Sequence, residues 1–309
     1  MEGITGYVFR NAHHHCFGGV DRYYTPFIAT HKNKGLTSRE KNDVLPKHNE
    51  GMPVVPQLLS NNGEDFIKTA RMMAEFGYSE VNLNLGCPSK TVVTKQKGAG
   101  FLAEKDRLDA FLDQIYSGLS GKGPAISIKT RIGMETEEEW EGLLALFHQY
   151  PVKELIIHPR LQSDMYKNTP NWQVFGETLD RCECPVCYNG DIFTVQDFKR
   201  FTEAFPETGC VMLGRGILSN PGLVNSIRGS GPMDKETLLA FHDQIYRDYQ
   251  EILYGEKTIL FKMKELWFYM ASVFSNCEKY AKKIKKSEKL AAYESAVAAL
   301  FDEQDICIG

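Results

Sequence analysis

The segment Asn82–Lys90 carries the residues best suited to chemistry. It has the sequence Asn-Leu-Asn-Leu-Gly-Cys-Pro-Ser-Lys and passes from the apolar run Glu80–Leu85 into a loop. Gly86 and Pro88 predict a turn there, from which the thiol of Cys87 projects. A thiol in a loop can act as a nucleophile, a metal ligand or a proton donor. The alternative interpretation is that Cys87 is a small buried residue.

Polar residues after other apolar runs are suited to binding an electron-rich, phosphorylated ligand. Lys129 ends one such run, where a cation can stabilise negative charge on a ring or a phosphate, and His158 could hydrogen-bond the same ligand. The glycine-containing segments Asn189-Gly190-Asp191 and Gly214-Arg215-Gly216 follow two later runs. Glycine N–H groups and arginine commonly bind phosphate at such positions. One ring site and one phosphate site predict a cofactor such as FMN.

Short apolar runs must position these residues, and they alternate with amphipathic stretches. The strand candidates are Arg22–Ile28, Pro53–Leu59, Glu80–Leu85, Ala125–Thr130, Glu154–His158, Pro185–Asn189 and Cys210–Leu213. The helical patterns are Glu64–Phe76, Lys105–Ser117, Thr136–Tyr150 and Thr194–Ala204. This alternation predicts parallel strands joined by crossover helices. With Met1–Gly3 as the end of a further strand, it favours an α/β fold, a (β/α)8 TIM barrel, over a doubly wound sheet, whose glycine motif is absent.

Six polar residues lie at or just after the ends of these runs. They are Gln57, Asn84, Lys129, His158, Asn189 and Arg215. In a closed parallel barrel the carboxyl ends of the strands meet at one mouth, where active sites of this fold are built. Any one of the six could be a cap or a surface group, but their common position predicts one site.

The composition changes after Gly229-Ser230-Gly231-Pro232, which is typical of a linker. Beyond it, Lys235–Gly255, Thr258–Asn276 and Ser287–Asp302 have helical periodicity, so we predict a catalytic barrel over residues 1–230 and a helical domain over 233–309. Six lysines fall within eleven residues there: Lys279, Lys282, Lys283, Lys285, Lys286 and Lys289. Such a run is either a solvated helix face or a contact for nucleic-acid phosphates.

Composition excludes several classes of protein. The chain has 309 residues, of which 42% are hydrophobic and 25% charged, and these proportions are globular rather than fibrous or disordered. No apolar run reaches the roughly 18 residues that a membrane span needs, so we expect a cytoplasmic protein without membrane contact. The net charge of −4 argues against wholesale electrostatic binding of nucleic acid but leaves room for a local basic patch.

The eight cysteines predict reduced thiols, because no secretion signal accompanies them. Cys182, Cys184 and Cys187 resemble a metal knuckle but lack a nearby fourth ligand, and Cys187 falls in a strand run, so we expect no metal. The run His13-His14-His15 lies in a predicted helix, where consecutive side chains diverge, and we expect surface histidines.

Taken together, these motifs resemble those of the tRNA-dihydrouridine synthase family over nearly the whole chain. The resemblance begins with the segment Met-Glu-Gly-Ile-Thr-Gly at residues 1–6 and Val55–Leu59, and Asn84–Lys90 is its most specific part. Lys129 in Lys-Thr-Arg-Ile-Gly, His158 in His-Pro-Arg, Asn189-Gly190-Asp191 and Gly214-Arg215 follow in family order. The helical C-terminal domain also has a counterpart, with which the family contacts tRNA.

The resemblance implies FMN at the barrel mouth and reduction of uridine in tRNA. Gln57 and Lys129 would contact the isoalloxazine, with Asn84 and Cys87 facing the uracil and Lys129 also near it. The residues expected near the cofactor or its phosphate are Met1, His158, Asn189, Gly190, Asp191, Gly214 and Arg215. NADPH, or NADH, would reduce the flavin, hydride would pass to C6, and Cys87 would protonate C5. We expect a monomer.

Two departures from the family pattern bear on this expectation. The family has strand residues and a proline before the methionine of its first motif, whereas this chain begins at Met1. Either the first strand is truncated or the start is misassigned, which bears on barrel closure and on the backbone contact to the flavin near Met1. Pro159 replaces a glycine and removes a backbone donor. Two alternatives stay open: a small-molecule flavin reductase similar to dihydroorotate or dihydropyrimidine dehydrogenases, and a tRNA-binding relative without catalysis.

Overall fold

In the computed structural model, which describes residues 1–31, 35–121 and 123–307, the chain divides into two units. The unit formed by Arg22–Asp191 and Ala204–Met212 carries the strands, and we call it the barrel unit. The unit formed by Met1–Asp21, Ile192–Glu203 and Leu213–Gly309 is the helical unit. The sequence predicts a domain boundary at residues 230–233 from a change in composition. The two units of the structure are defined by packing and have different boundaries, because α1 (Tyr7–Cys16) packs in one core with the C-terminal helices.

The barrel unit contains short strands that pair in parallel. They are β1 (Tyr23–Tyr24), β2 (Ile28–Ala29), β3 (Val54–Val55), β4 (Gln57–Leu59), β5 (Glu80–Leu85), β6 (Ala125–Gly133), β7 (Leu155–Leu161), β8 (Val186–Tyr188) and β9 (Cys210–Val211). One sheet has the order β2-β4-β5-β6-β7-β8-β9, and β1 pairs with β3. Parallel neighbours in chain order, joined by helices, are the arrangement of the (β/α)8 barrel class, which confirms the predicted fold class.

Prolines separate β1 from β2 and β3 from β4, and a third proline lies near the end of β7. Pro26 separates β1 from β2 and Pro56 separates β3 from β4, because proline has no N–H to give to the ladder. Pro159 lies where the register between β6 and β7 shifts, from Arg131 opposite His158 to Gly133 opposite Leu161. Both strands continue past this irregularity, which makes them longer than the sequence predicts.

The expected strand end at Met1–Gly3 is wrong. The carbonyl oxygen of Met1 accepts hydrogen bonds from the amides of Ile4 and Thr5, at 3.3 and 3.1 Å, and these bonds close a turn. An i to i+3 bond folds the chain back on itself, whereas a strand needs extended residues with partners on a neighbour.

Helices lie between the strands and form the C-terminal region. After α1 they are α2 (Ser38–Val44), α3 (Gly63–Glu75), α4 (Lys90–Val93), α5 (Lys105–Leu119), α6 (Glu139–Phe147), α7 (Trp172–Leu179), α8 (Val195–Ala204), α9 (Arg215–Ser219), α10 (Leu223–Ile227), α11 (Lys235–Ile252), α12 (Glu256–Met270), α13 (Glu278–Lys286) and α14 (Leu290–Glu303). Their starts follow local chemistry: the side chain of Asn62, for example, accepts a hydrogen bond from the amide of Asp65 and caps α3. No helix in the described ranges is long and apolar enough to cross a bilayer.

The core of the helical unit includes α1 as well as α11, α12 and α14. Phe9 of α1 meets the ring of Phe241 of α11 edge to face, with 5.6 Å between centroids. His13 is fully buried in the same core, and its Nε2 lies 2.9 Å from the carbonyl oxygen of Pro221. The expectation that His13 lies at the surface is therefore wrong, since the face of α1 that carries Phe9 also carries His13 four residues later.

Candidate active site

A chain of buried amide side chains crosses three neighbouring strands, β4, β5 and β6. The register places Gln57 opposite Asn82 and Asn82 opposite Ser127, so their side chains can meet. Gln57 Nε2 donates to Asn82 Oδ1 at 2.8 Å, and Asn82 Nδ2 donates to Ser127 Oγ at 2.9 Å. Asn84 Nδ2 donates to Gln57 Oε1 at 2.7 Å. Each amide thereby fixes the orientation of the next.

The last amide of this chain holds the loop that carries the thiol. Asn84 Oδ1 accepts hydrogen bonds from the amides of Gly86 and Cys87, at 3.1 and 2.9 Å. On the other side, the amide of Ala99 donates to the carbonyl oxygen of Cys87 at 3.1 Å. Gly98 has φ +56°, and a Cβ there would come within 2.8 Å of that oxygen, so glycine is required. The Cys87 backbone is thus fixed on both sides, and its side chain is partly exposed rather than fully buried.

A buried guanidinium joins this loop to the segment after β7. Arg131 has no exposed surface, and its Nε donates to the carbonyl oxygen of Gly86 at 3.1 Å. Its two terminal nitrogens donate to the carbonyl oxygens of Leu161 and Met165, both at 2.6 Å. The ring of Tyr166 lies 5.4 Å from the guanidinium carbon. Arg131 belongs to none of the predicted site residues, although its position two residues after Lys129, on the same face of β6, was a signal available in the sequence.

Lys129 supplies a cation beside the thiol loop. It pairs in register with Asn84, and within the three described ranges its ammonium group forms no hydrogen bond or salt bridge. Burial, together with the positive charge of Arg131, lowers the pKa of Lys129 to about 8. The negative charges that Cys187 and, to a smaller extent, Cys87 can carry act in the opposite direction. This lysine is therefore available to an electron-rich or anionic ligand, mostly charged at neutral pH.

The predicted residues at the end of β7 and after β8 form a charged cluster. Arg160 Nη1 donates to Asp191 Oδ1 at 3.0 Å, and Nη2 forms a second, shorter bond to Oδ2. Arg160 Nη1 also lies 3.0 Å from His158 Nε2. Because guanidinium only donates, His158 Nε2 accepts, and the neutral ring keeps its proton on Nδ1. Asp191 thus neutralises a buried arginine, and the roles of His158 and Asp191 toward a cofactor stay predictions.

Asn189 and Gly190 lie beside this cluster. Asn189 Nδ2 donates to the carbonyl oxygen of Met212 at 2.8 Å, which links the segments after β8 and β9. A Cβ on Gly190 would come within 1.9 Å of the Tyr188 hydroxyl, so the close approach of that side chain requires glycine.

Three of the predicted site residues belong to the helical unit. Met1 is exposed, and its ammonium group donates to Thr5 Oγ1 within the N-terminal turn. Gly214 precedes α9, and a Cβ there would meet no atom within 4 Å. The guanidinium carbon of Arg215 lies 5.3 Å from the ring centroid of Phe193. Their contact with a cofactor stays a prediction.

The three cysteines of the apparent metal knuckle do not converge. Cys182 and Cys184 lie with their sulfurs 3.5 Å apart, whereas Cys187 lies in β8 in register with Cys210 of β9. Cys187, Cys210 and Glu154 bring their ligand atoms within 4.8 Å of one another. Arg22 already donates to Cys210 Sγ, at 3.5 Å, and to Glu154, so a guanidinium supplies the positive charge in that group.

The chemistry of the donor set fits a flavin at the barrel mouth. Lys129 offers a cation without a partner in the described part of the chain, and Asn84 and Gln57 offer oriented amides one and two strands away, respectively. An electron-rich ring with carbonyl oxygens and ring nitrogens is a ligand that a cation and amides suit.

Comparisons with known proteins identify what this chain resembles. The family model described as dihydrouridine synthase (Dus) matches residues 1–307. The tRNA-dihydrouridine(16) synthase of Pseudomonas putida is 28% identical over 262 residues, which cover 81% of this chain and 80% of that protein. A probable tRNA-dihydrouridine synthase of Staphylococcus aureus is 26% identical over 261 residues, covering 81% and 77%.

Among solved structures, the histamine dehydrogenase from Rhizobium sp. 4-9 matches with a TM-score of 0.50 at 12% identity. The match covers 72% of this chain but 43% of that one, so this chain spans less than half its length. This likeness concerns the fold alone.

Proposed function

The chain belongs to the dihydrouridine synthase family, and on this premise we propose that it reduces the C5–C6 double bond of specific uridines in tRNA. Cys87 is the proton donor in this proposal. The observation that carries it is the position of Cys87: Asn84 holds its amide, Ala99 its carbonyl, and Arg131 the residue before it, all beside the cation of Lys129.

The enzyme is flavin-dependent, and we propose FMN as the flavin and NADPH, or NADH, as the source of electrons. When bound, the flavin supplies the hydride that goes to C6 of the uracil. Gln57 and Lys129 would hold its ring. The residues proposed for the rest of the cofactor are Met1, His158, Asn189, Gly190, Asp191, Gly214 and Arg215, of which Met1 would contribute backbone.

Cys87 acts on the opposite carbon of the double bond. As C6 gains hydride, the electron pair of the double bond moves toward C5 and the adjacent carbonyl oxygen, and the S–H bond of Cys87 breaks as a C5–H bond forms. A thiolate is left, which regains its proton from solvent. A flexible loop would seldom hold the sulfur within reach of C5, so the fixed backbone of Cys87 contributes to the rate.

Lys129 stabilises the charge that develops on the uracil. Hydride addition at C6 gives enolate character at the carbonyl oxygen, and a nearby ammonium group lowers the energy of that state. The pKa of about 8 leaves Lys129 mostly protonated at pH 7. Asn84 would orient the same base through its side-chain amide.

For tRNA binding we propose the exposed lysines of α13 and its flanks. Lys279, Lys282, Lys283, Lys285, Lys286 and Lys289 are all exposed, while Tyr280 and Ile284 of the same helix are buried. Lysines on one solvent face are suited to phosphates. A uracil that is stacked between neighbouring bases must also flip out of the stack to reach a pocket at the barrel mouth. The monomeric state and the cytoplasmic location stay predictions.

The test uses the full chain and tRNA that lacks dihydrouridine. The purified protein should be yellow, and with NADPH it should form dihydrouridine, which mass spectrometry of digested tRNA measures. Cys87→Ala should keep its flavin absorbance and lose the product. Full activity of Cys87→Ala would reject the proton-donor role. Turnover of free dihydroorotate or uracil without turnover of tRNA would favour a small-molecule reductase, and a colourless protein that binds tRNA would favour a non-catalytic relative.

A further inference from the structure

Two cysteines that the proposed reaction does not use lie side by side on neighbouring strands of the barrel unit. Cys187 of β8 pairs in parallel register with Cys210, the first residue of β9, and both are free thiols in the structure. Residues in register on adjacent parallel strands direct their side chains to the same face of the sheet. The two sulfurs accordingly lie within 4.8 Å of each other.

The spacing of these strands fits a disulfide bond between the two cysteines. Neighbouring strands lie about 4.8 Å apart, and the Cα atoms of disulfide-bonded cysteines lie about 4.4–6.8 Å apart. The two backbones therefore need no rearrangement, and rotation of the side chains of Cys187 and Cys210 is enough to join their sulfurs.

The pair lies toward the amino ends of the barrel strands, whereas Cys87 follows the carboxyl end of β5. Cys210 begins β9, Glu154 immediately precedes β7, and Arg22 immediately precedes β1. Parallel strands of a barrel all begin at one end and finish at the other. Cys210 is partly exposed there, while Cys187 is buried. A small oxidant in solvent can therefore reach Cys210 before it reaches Cys187.

A guanidinium activates the more exposed thiol of the pair. Arg22 Nη2 donates to Cys210 Sγ at 3.5 Å and also donates to Glu154. A hydrogen bond from Cys187 and the contact with Arg22 lower the pKa of Cys210 to about 7, although burial and the charge of Glu154 act in the opposite direction. The same hydrogen bond and burial raise the pKa of Cys187. At neutral pH the nucleophile of the pair is therefore the Cys210 thiolate, and Cys187 keeps its proton.

We propose that Cys187 and Cys210 are a redox modification site, at which hydrogen peroxide forms a reversible disulfide. The Cys210 thiolate attacks one peroxide oxygen, the O–O bond breaks, and Cys210 becomes a sulfenic acid while hydroxide leaves and takes a proton from solvent. The Cys187 sulfur then attacks the Cys210 sulfur, and the S–S bond forms as the S–O bond breaks. The Cys187 proton leaves with the sulfenic hydroxyl as water, so two electrons pass from the thiols to the peroxide. A dithiol reverses the step by exchange.

The first test treats the reduced full chain with hydrogen peroxide, alkylates the remaining thiols and maps tryptic peptides by mass spectrometry. The expected product is a cross-link between the peptides that contain Cys187 and Cys210, which disappears after treatment with dithiothreitol. Cys210→Ser should abolish this cross-link.

A second close thiol pair supplies the matched control. The sulfurs of Cys182 and Cys184 lie 3.5 Å apart, and both residues share a tryptic peptide with Cys187. Cys182→Ser with Cys184→Ser should keep the cross-link to Cys210, and in this variant Cys187 is the only cysteine of its peptide. Loss of the cross-link in the properly folded double variant would assign the reaction to the wrong pair and overturn the proposal.

Another measurement tests the role of Arg22 without an oxidant. At pH 7 iodoacetamide should alkylate Cys210 about threefold or more slowly in Arg22→Gln, because a smaller fraction of the thiol is ionised. Arg181→Gln changes an exposed arginine and is the control, with an unchanged rate. An unchanged rate in Arg22→Gln would contradict the activation of Cys210.

The unmodified chain alone keeps the proposal open to rejection if a variant does not fold. Peroxide treatment that leaves both thiols reduced, or that oxidises Cys210 to the sulfinic acid without a cross-link to Cys187, would overturn it. Because these readouts involve neither flavin nor tRNA, failure here is distinguishable from failure of the proposed reaction.

Discussion

Arg131 Nε donates a hydrogen bond of 3.1 Å to the carbonyl oxygen of Gly86, the residue before Cys87. The same guanidinium donates to the carbonyl oxygens of Leu161, which ends β7, and of Met165 in the loop that follows, so one side chain links the Cys87 loop to the loop after β7. A guanidinium spreads five donors over three nitrogens and so reaches three carbonyls on different sides of it, whereas a lysine offers its three donors from a single nitrogen. The position of Cys87 therefore depends on a strand that does not carry it.

Arg131→Lys tests this dependence. Two or three buried carbonyls lose their donor, and each costs about 1–3 kcal/mol, so the free energy of unfolding should fall by about 3 kcal/mol or more. The rate of dihydrouridine formation should fall as well, because the Cys87 loop loses its anchor. Urea unfolding and single-turnover kinetics measure the two effects. Arg107→Lys, on an exposed face of α5, is the control and should change neither.

Lys129 predicts a pH dependence of stability. Its pKa falls from an ordinary 10.5 to about 8 on folding, so the unfolded chain binds the proton more tightly than the folded one. This difference lowers the free energy of unfolding by its full amount below pH 8, and the effect disappears as the pH rises to 10.5. It amounts to about 3 kcal/mol.

Lys129→Met should therefore raise the free energy of unfolding at pH 7 by up to about 3 kcal/mol and remove this slope between pH 8 and 10.5. Urea unfolding at pH 7 and pH 10 measures it. The same variant should lose dihydrouridine formation, since no cation remains for the uracil oxygen. Lys167→Met, at an exposed position, is the control, and an equal gain in stability there would contradict the explanation.

The lysine run predicts a salt-dependent contribution to tRNA affinity. Lys282→Gln, Lys285→Gln and Lys286→Gln together should raise KM for tRNA and leave kcat unchanged. These exposed residues of α13 are proposed to contact tRNA phosphates and not the uracil that reacts. The slope of log affinity against log salt should drop by about one for each phosphate that the variant no longer neutralises. Filter binding at several salt concentrations measures it.

The matched control removes the same charge from the barrel unit. Lys41→Gln, Lys47→Gln and Lys68→Gln change three exposed lysines there. If this control weakens tRNA binding as much as the α13 variant does, net charge rather than a defined surface explains the effect.

His13 predicts a loss of stability in acid. Burial lowers its pKa from 6.5 to about 4, so the folded state disfavours the protonated ring. The neutral His13 ring contributes fully to the free energy of unfolding above pH 6.5. This contribution is lost as the pH falls toward 4, and the loss is about 3 kcal/mol at most. His13→Gln keeps a donor for the carbonyl of Pro221 but does not titrate. Unfolding at pH 7 and pH 4.5 should show a smaller pH effect in this variant, and an unchanged effect would point to another group.

The sequence predicted the strands because their patterns are local. Seven apolar runs overlap the observed strands, and Glu80–Leu85 matches β5 at both ends, since period and flanking turn residues lie within a few positions of each other. The predicted position at the strand ends is wrong for three polar residues: Gln57 begins β4, and Lys129 and His158 lie within β6 and β7, because those two strands continue past the apolar runs. Gln57 and Asn84 touch because they lie on adjacent parallel strands, although Gln57 begins β4 rather than ends it.

Interactions between distant segments were decided only in the tertiary structure. The role of Arg131 depends on carbonyls 30 and more residues away, His13 is buried by helices more than 200 positions later, and Cys187 meets Cys210 rather than Cys182. The local sequence pattern determines on which face of a helix or strand a residue lies, because backbone geometry repeats every few residues. Packing fixes what it faces, because burial depends on which surfaces fill the same volume, and no local pattern encodes that.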